Sequence, residues 1–129
     1  MPALAFGIWL KELRDRRALS LRDVAQRAGV DHAYISRLET GEKESPSDEV
    51  VDKLVSALGA SRRDAKILRV FVSHSSADPA LAEFVRADTS VTPEELHMLT
   101  TVVNRGARAD YPTSLSRIRR IMQEEEDDG

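Results

Sequence analysis

The residues from Ser20 to Gly41, SLRDVAQRAGVDHAYISRLETG, leave this chain little choice of local structure, because two short helical patterns are separated only by Gly29, Val30 and Asp31. Ser20 is a good N-cap with Asp23 three residues on, and Leu21, Val24, Ala25 and Ala28 share one face at helical spacing. Gly29 follows the last periodic residue, where a left-handed backbone costs glycine least. Asp31 can then cap a second helix that buries Ile35 and Leu38 before Gly41 ends it. So short a link does not let the helices lie side by side, so they cross steeply, as in a helix-turn-helix.

Ala25, Gly29-Val30, Ile35-Ser36, Glu39 and Gly41, followed by Pro46 and the run Leu54 to Gly59, resemble the Cro/cI/XRE family of DNA-binding domains from about Phe6 to Leu68. The resemblance implies an all-α class, with a five-helix DNA-binding domain whose recognition helix runs from His32 to Thr40. The start of such a helix reaches base edges in the major groove, which singles out His32, Ala33, Ser36 and Arg37. Arg37 can bridge guanine O6 and N7, Ala33 can meet a thymine methyl, and His32 or Ser36 can exchange one hydrogen bond. Tyr34 has two readings, a phosphate contact or a ring covering the helix junction. Many members carry glutamine where this chain has Leu21, and Arg22 is the residue available for that phosphate contact. The following loop, GEKESPS, is basic in many phage repressors; here Glu42 and Glu44 flank Lys43, which is kept as a candidate contact. The resemblance further implies an ion pair between Arg14 and Glu39. The alternative is a solvated arginine on a helix that also carries Arg16 and Arg17.

A net charge of −3 argues at first sight against a polyanionic partner. The charge is unevenly divided: residues 1–75 hold 13 basic and 11 acidic side chains, and the rest of the chain holds 6 and 11. A local basic face is enough for phosphate attraction, so the acidity of the second half does not exclude DNA. The 129 residues set a prior of one or two domains, and with 5% aromatic residues the core is mostly aliphatic. The absence of cysteine removes disulfides, thiol catalysis and Cys-ligated zinc. No apolar run approaches a membrane span and the N-terminus lacks the order of a signal peptide, so a soluble, cytoplasmic protein with no membrane partner is expected.

Ahead of the motif, Phe6, Trp9, Leu10 and Leu13 share one face of a helix from about Leu4 to Arg17. Behind it, Ser47 caps a helix with Val50, Val51, Leu54, Val55 and Leu58 on its core face, stopped by Gly59. A fifth helix runs from about Ser61 to Ser73, although the β-prone Val70, Phe71 and Val72 also suit a short strand. His74, Ser75, Ser76 and Asp78 read as a polar hinge; neighbours on such a stretch rarely build a catalytic triad. The division is therefore residues 1–74 for DNA binding and 75–129 for a small helical dimerisation and regulatory domain. In the latter, Pro79 to Arg86 make two helical turns and Thr92-Pro93-Glu94-Glu95 is a strong start signal. A last helix from about Thr113 ends in EEEDDG, an acidic run read as a frayed tail. Short helices of this kind make little core of their own, so Leu99, Val103, Leu115, Ile118, Ile121 and Met122 are expected to pair with a second copy.

VTPEEL, a spaced apolar helix, RGARADYP and a helix ending in RIRRIM also resemble, over about Val91 to Met122, the C-terminal domain of the DdrO-type radiation-response repressors. That resemblance implies a stress or DNA-damage response, with inactivation by an ImmA/IrrE-type zinc metallopeptidase cutting near Asn104-Arg105. Family members typically carry leucine where Asn104 stands, and an ordinary loop closed by Gly106 is the other reading. The chain shows no HExxH, and His32, His74 and His97 lie too far apart in sequence to suggest a local metal site. Arg105 and Arg108 are an alternative anion-binding pair. The expectation is a homodimeric transcriptional repressor with double-stranded DNA as partner, without cofactor, metal or enzymatic activity. The alternative is an antitoxin-like or protein-interaction module that uses the helix-turn-helix as a scaffold.

Overall fold

The computed structural model describes residues 4–42, 46–101 and 110–128. Among them there are helices and no strands: α1 Ala5–Arg16, α2 Leu21–Ala28, α3 His32–Thr40, α4 Asp48–Leu58, α5 Arg62–Ser73, α6 Ala80–Ala87, α7 Pro93–Thr100 and α8 Tyr111–Asp128. The class is all-α. The β-prone residues Val70 to Val72 remain in α5, where Phe71 is fully buried and the helical period rather than residue preference decides.

Helix α1 is the spine. Its apolar face, Ala5, Phe6, Trp9, Leu10 and Leu13, is buried, and α3, α5 and α6 all pack against it. The Trp9 indole N–H donates to the Asp64 carbonyl at 3.1 Å, so the largest buried side chain has its one polar group satisfied. Arg17 Nη2 donates to the Gly59 carbonyl at 2.6 Å, tying the end of α1 to the end of α4. Gly7 lets α1 approach α3 closely: a Cβ there would collide with the Leu38 carbonyl oxygen and lie 2.9 Å from that of Glu39.

One apolar cluster runs from Ala5 through to Ile118, across the polar segment after α5. That segment is tied down. Asp78 accepts from Ala80 N at 3.0 Å, capping α6, and from the Tyr111 hydroxyl at 2.7 Å, clasping the start of α8. Burial and the Asp78 carboxylate both hold the Tyr111 phenol well above its ordinary pKa. Helix α6 buries Leu81, Ala82 and Val85, and packs on α1; α7 packs on α5 and α8 on α7.

This packing corrects the expected dimer face. Leu99, Leu115 and Ile118 are only 1%, 4% and 6% exposed within the single chain, because α6–α8 complete their core with α1 and α5. Met122 is half-buried, Ile121 is exposed, and Val103 lies outside the described residues. The acidic end also differs from a frayed tail: α8 stays helical to Asp128. Thr92 and Glu95 form a reciprocal capping box at α7, with Glu95 N donating to Thr92 Oγ1 at 3.0 Å and Thr92 N to Glu95 Oε1 at 2.9 Å. The same carboxylate receives Arg119 Nε at 2.9 Å, which joins α7 to α8. Burial raises the Glu95 pKa, but the Arg119 and Thr92 hydrogen bonds outweigh it and leave the group below its ordinary value.

Gly7→Ala is expected to lower stability by about 1–3 kcal/mol, since the added methyl overpacks a backbone contact and alanine's helix preference returns less than that. Urea unfolding of the two proteins followed by circular dichroism checks it.

Candidate nucleic-acid interface

Helices α2 and α3 are each closed by the residues that start and stop them. Asp23 N donates to Ser20 Oγ at 3.0 Å and Ser20 N to Asp23 Oδ2 at 2.9 Å, a complete capping box. Gly29 then turns left-handed at φ 71°, Asp31 Oδ1 accepts from Ala33 N at 3.0 Å, and Gly41 ends α3 at φ 86°. Val24, Ala25 and Ala28 of α2 and Ile35 and Leu38 of α3 are buried together, which fixes the crossing.

Arg14 locks this pair to α1. Its Nε donates to Glu39 Oε2 at 2.8 Å and its Nη2 to Glu39 Oε1 at 2.9 Å, a two-pronged pair, while Nη1 reaches the Leu19 carbonyl at 2.9 Å. The side chains are 14% and 7% exposed. The hydrogen bond to Glu39 raises the Arg14 pKa against the opposing effect of burial.

Along α3, His32 and Arg37 are exposed, while Ala33, Tyr34 and Ser36 are half-buried. The Tyr34 ring rests against the apolar cluster. Arg22 projects from α2 into solvent, and among the described residues neither Arg22 nor Arg37 forms an ion pair. His32 Nδ1 stands 3.6 Å from Asp31 Oδ1. Lys43 lies outside the described residues, as do Asn104 and Arg105. The arrangement is an exposed imidazole and guanidinium along a short helix, with a half-buried methyl and hydroxyl between them, held on a closed frame.

A family profile described as a helix-turn-helix domain matches residues 5–66. The HTH-type transcriptional regulator DdrOP3 of Deinococcus deserti is 32% identical over 111 residues, covering 77% of this chain and 81% of the relative. The chain belongs to the XRE-like helix-turn-helix transcriptional regulators. An uncharacterized HTH-type transcriptional regulator of Mycobacterium tuberculosis is 25% identical over 113 residues, covering 83% of this chain and 79% of its own length. The HTH-type transcriptional repressor RghR of Bacillus subtilis is 39% identical over 54 residues, which are 42% of this chain and 40% of that one. This regulator is a non-enzymatic protein by family.

Sequence reasoning missed Gly7, although a glycine amid the apolar face of a helix is itself a sign of close backbone approach. It also missed that the fold unites two of the three histidines: His74 Nε2 and His97 Nδ1 are 3.3 Å apart. Among the described residues, no group of three or more histidine or acidic side chains is placed to hold a metal ion. No described helix of the regulator is long and apolar enough to cross a membrane.

Reversing the charge of either Arg14 or Glu39 leaves the other charge partly desolvated and without its partner, and is expected to destabilise the regulator strongly. Removing one member of a fully buried pair costs about 3–5 kcal/mol, and the residual exposure of Arg14 puts this pair toward the low end. The double reversal should recover part of the loss; melting losses that simply add would remove the coupling.

Proposed function

We propose that this chain is a sequence-specific DNA-binding repressor that acts as a homodimer, with residues 1–74 contacting the operator and 75–129 setting assembly and regulation. The observation that carries the proposal is that His32, at the start of α3, and Arg37, in its last turn, face solvent on a helix that Arg14 and Glu39 tie to α1. Arg37 reads guanine through two donors, Ala33 and Ser36 contact neighbouring bases, and His32 adds one hydrogen bond. Arg22 and Lys43 engage phosphate. Tyr34, with its ring against the cluster, has its hydroxyl left for a phosphate oxygen. Two such helices about 34 Å apart would meet half-sites one helical turn apart on one side of the duplex. The names of the relatives DdrOP3 and RghR, a transcriptional regulator and a transcriptional repressor, support this reading.

Relief of repression, in the same proposal, comes from a zinc metallopeptidase that cuts at Asn104-Arg105 in a stress or DNA-damage response. Similarity to DdrOP3 over most of the chain supports it. The cut would fall between α7 and α8, leaving α8 held to the rest of the chain by noncovalent contacts, among them buried Leu115 and Ile118, Arg119 with Glu95 and Ser90, and Tyr111 with Asp78 and Phe84. Once α8 leaves, the second half-site contact is no longer effectively intramolecular.

Two measurements test this. Arg37→Ala should weaken cognate binding by about 1–3 kcal/mol while binding to random duplex changes less; equal losses on both would make Arg37 a phosphate contact only. A chain ending at Asn104 should bind the full operator about 10²–10⁴ times more weakly while its affinity for a single half-site is retained. Full operator affinity in that shortened chain would overturn the release mechanism.

A further inference from the structure

With Leu99, Leu115 and Ile118 inside the chain, Ile121 is the large apolar side chain left exposed among the described residues, at 49%. It sits on α8 one turn from the buried Ile118. Helical spacing sets Arg117, Ile121 and Glu124 along one edge of α8, with Glu125 on its further flank. Charge along that edge is lopsided: arginines precede Ile121 and an unbroken acidic run follows Gln123.

Toward its end, α8 carries carboxylates that form no ion pair with the described residues at Glu124 and Glu125. Gln123, Glu124 and Glu125 are all exposed, and carboxylates at a helix C-terminus oppose the macrodipole, yet α8 continues to Asp128. Arg119 is committed to Glu95 and Ser90. Arg117 and Arg120 form no ion pair with the described residues; Arg117 acts on Asp110 only through space, and Arg120 has Glu124 as its in-helix neighbour four residues on.

We infer that a second copy of this chain covers this edge, its α8 lying antiparallel to the first about a two-fold axis at Ile121. A parallel pairing would set arginine against arginine and the acidic runs against each other. The antiparallel one sets Ile121 against Ile121 and each Arg117 beside the second copy's Glu124, so the two ends neutralise one another by symmetry. The contact is isologous, so it closes as a dimer and does not propagate. It also brings cations to the carboxylates at the end of each α8, where the dipole disfavours them. A foreign helix would need the same charge order by coincidence; a second copy has it necessarily. This inference rests on the homodimer proposed above and names its surface.

The test is sedimentation equilibrium of the full chain, alone and with operator, on the wild type and on Ile121→Asp, Arg117→Glu, Glu124→Arg and the double variant R117E/E124R. All three positions are exposed, and melting curves like the wild type's establish that each variant is folded. The wild type should dimerise, Ile121→Asp should be monomeric at the same concentration, and each single charge reversal should weaken dimerisation by about tenfold or more. The double variant should regain most of the loss. If folded variants dimerise as tightly as the wild type, this edge is not the interface, while the homodimer reading stands. A wild type monomeric at every concentration and on operator overturns both.

Discussion

The paired guanidinium and carboxylate of Arg14 and Glu39 are the constraint on which the placement of α3 depends. Two charges taken largely out of water gain little net stability, since desolvation offsets most of their attraction. What they confer is geometry. A planar two-pronged pair accepts one relative placement of α1 and α3, and the third donor on Leu19 O fixes the link into α2 as well. Gly7 acts on the same contact from the apolar side, because the close approach of α1 to the Leu38 and Glu39 carbonyls is open only to a residue without a Cβ. Polar and apolar constraints thus meet within one turn of α3.

Helix α1 also explains why the second half of the chain needs no core of its own. It packs against α3 and α5 and also against α6, whose Leu81, Ala82 and Val85 are buried. Around Trp9, the Arg16 guanidinium lies 5.1 Å from the ring centroid and 3.2 Å from Asp64, whose carbonyl takes the indole N–H. Asp64 also receives Arg63 Nη1, and Arg63 Nε reaches the Val91 carbonyl ahead of α7. A chain of hydrogen bonds therefore runs from α1 to the segment that launches α7.

The elements written in local residue order were legible. Ser20 with Asp23, Gly29, Asp31, Gly41, Ser47, Gly59 and Thr92 with Glu95 each act through neighbours two to four residues away, so the sequence alone carries their meaning, and the helices start and stop within a residue or so of these signals. Contacts across long separations left weaker traces. Nothing local in Arg119 or Tyr111 announces Glu95 or Asp78, and nothing in His74 announces His97. The dimer face was misread for the same reason: Leu99, Leu115 and Ile118 look unpartnered when residues 75–129 are considered alone, and become interior once α1 and α5 are present. The acidic end was read from composition, yet glutamate is a good helix former and α8 carries on through it.

The distribution of satisfied and unsatisfied charge makes the final step. Across the frame, Arg14, Arg16, Arg17, Arg63, Arg69 and Arg119 hold carboxylates or carbonyls, while Arg117 and Arg120 on α8 form no ion pair with the described residues. On the helix-turn-helix, Arg22 and Arg37 are exposed and form no ion pair with the described residues. An arginine already paired must lose that partner before it can bind a base or phosphate, whereas a solvated one exchanges water for a nucleic-acid acceptor at little cost in protein contacts. With a chain of net charge −3, binding cannot lean on bulk attraction, so affinity has to come from a few well-placed donors on a stiff support. Such an economy favours site selectivity over nonspecific grip.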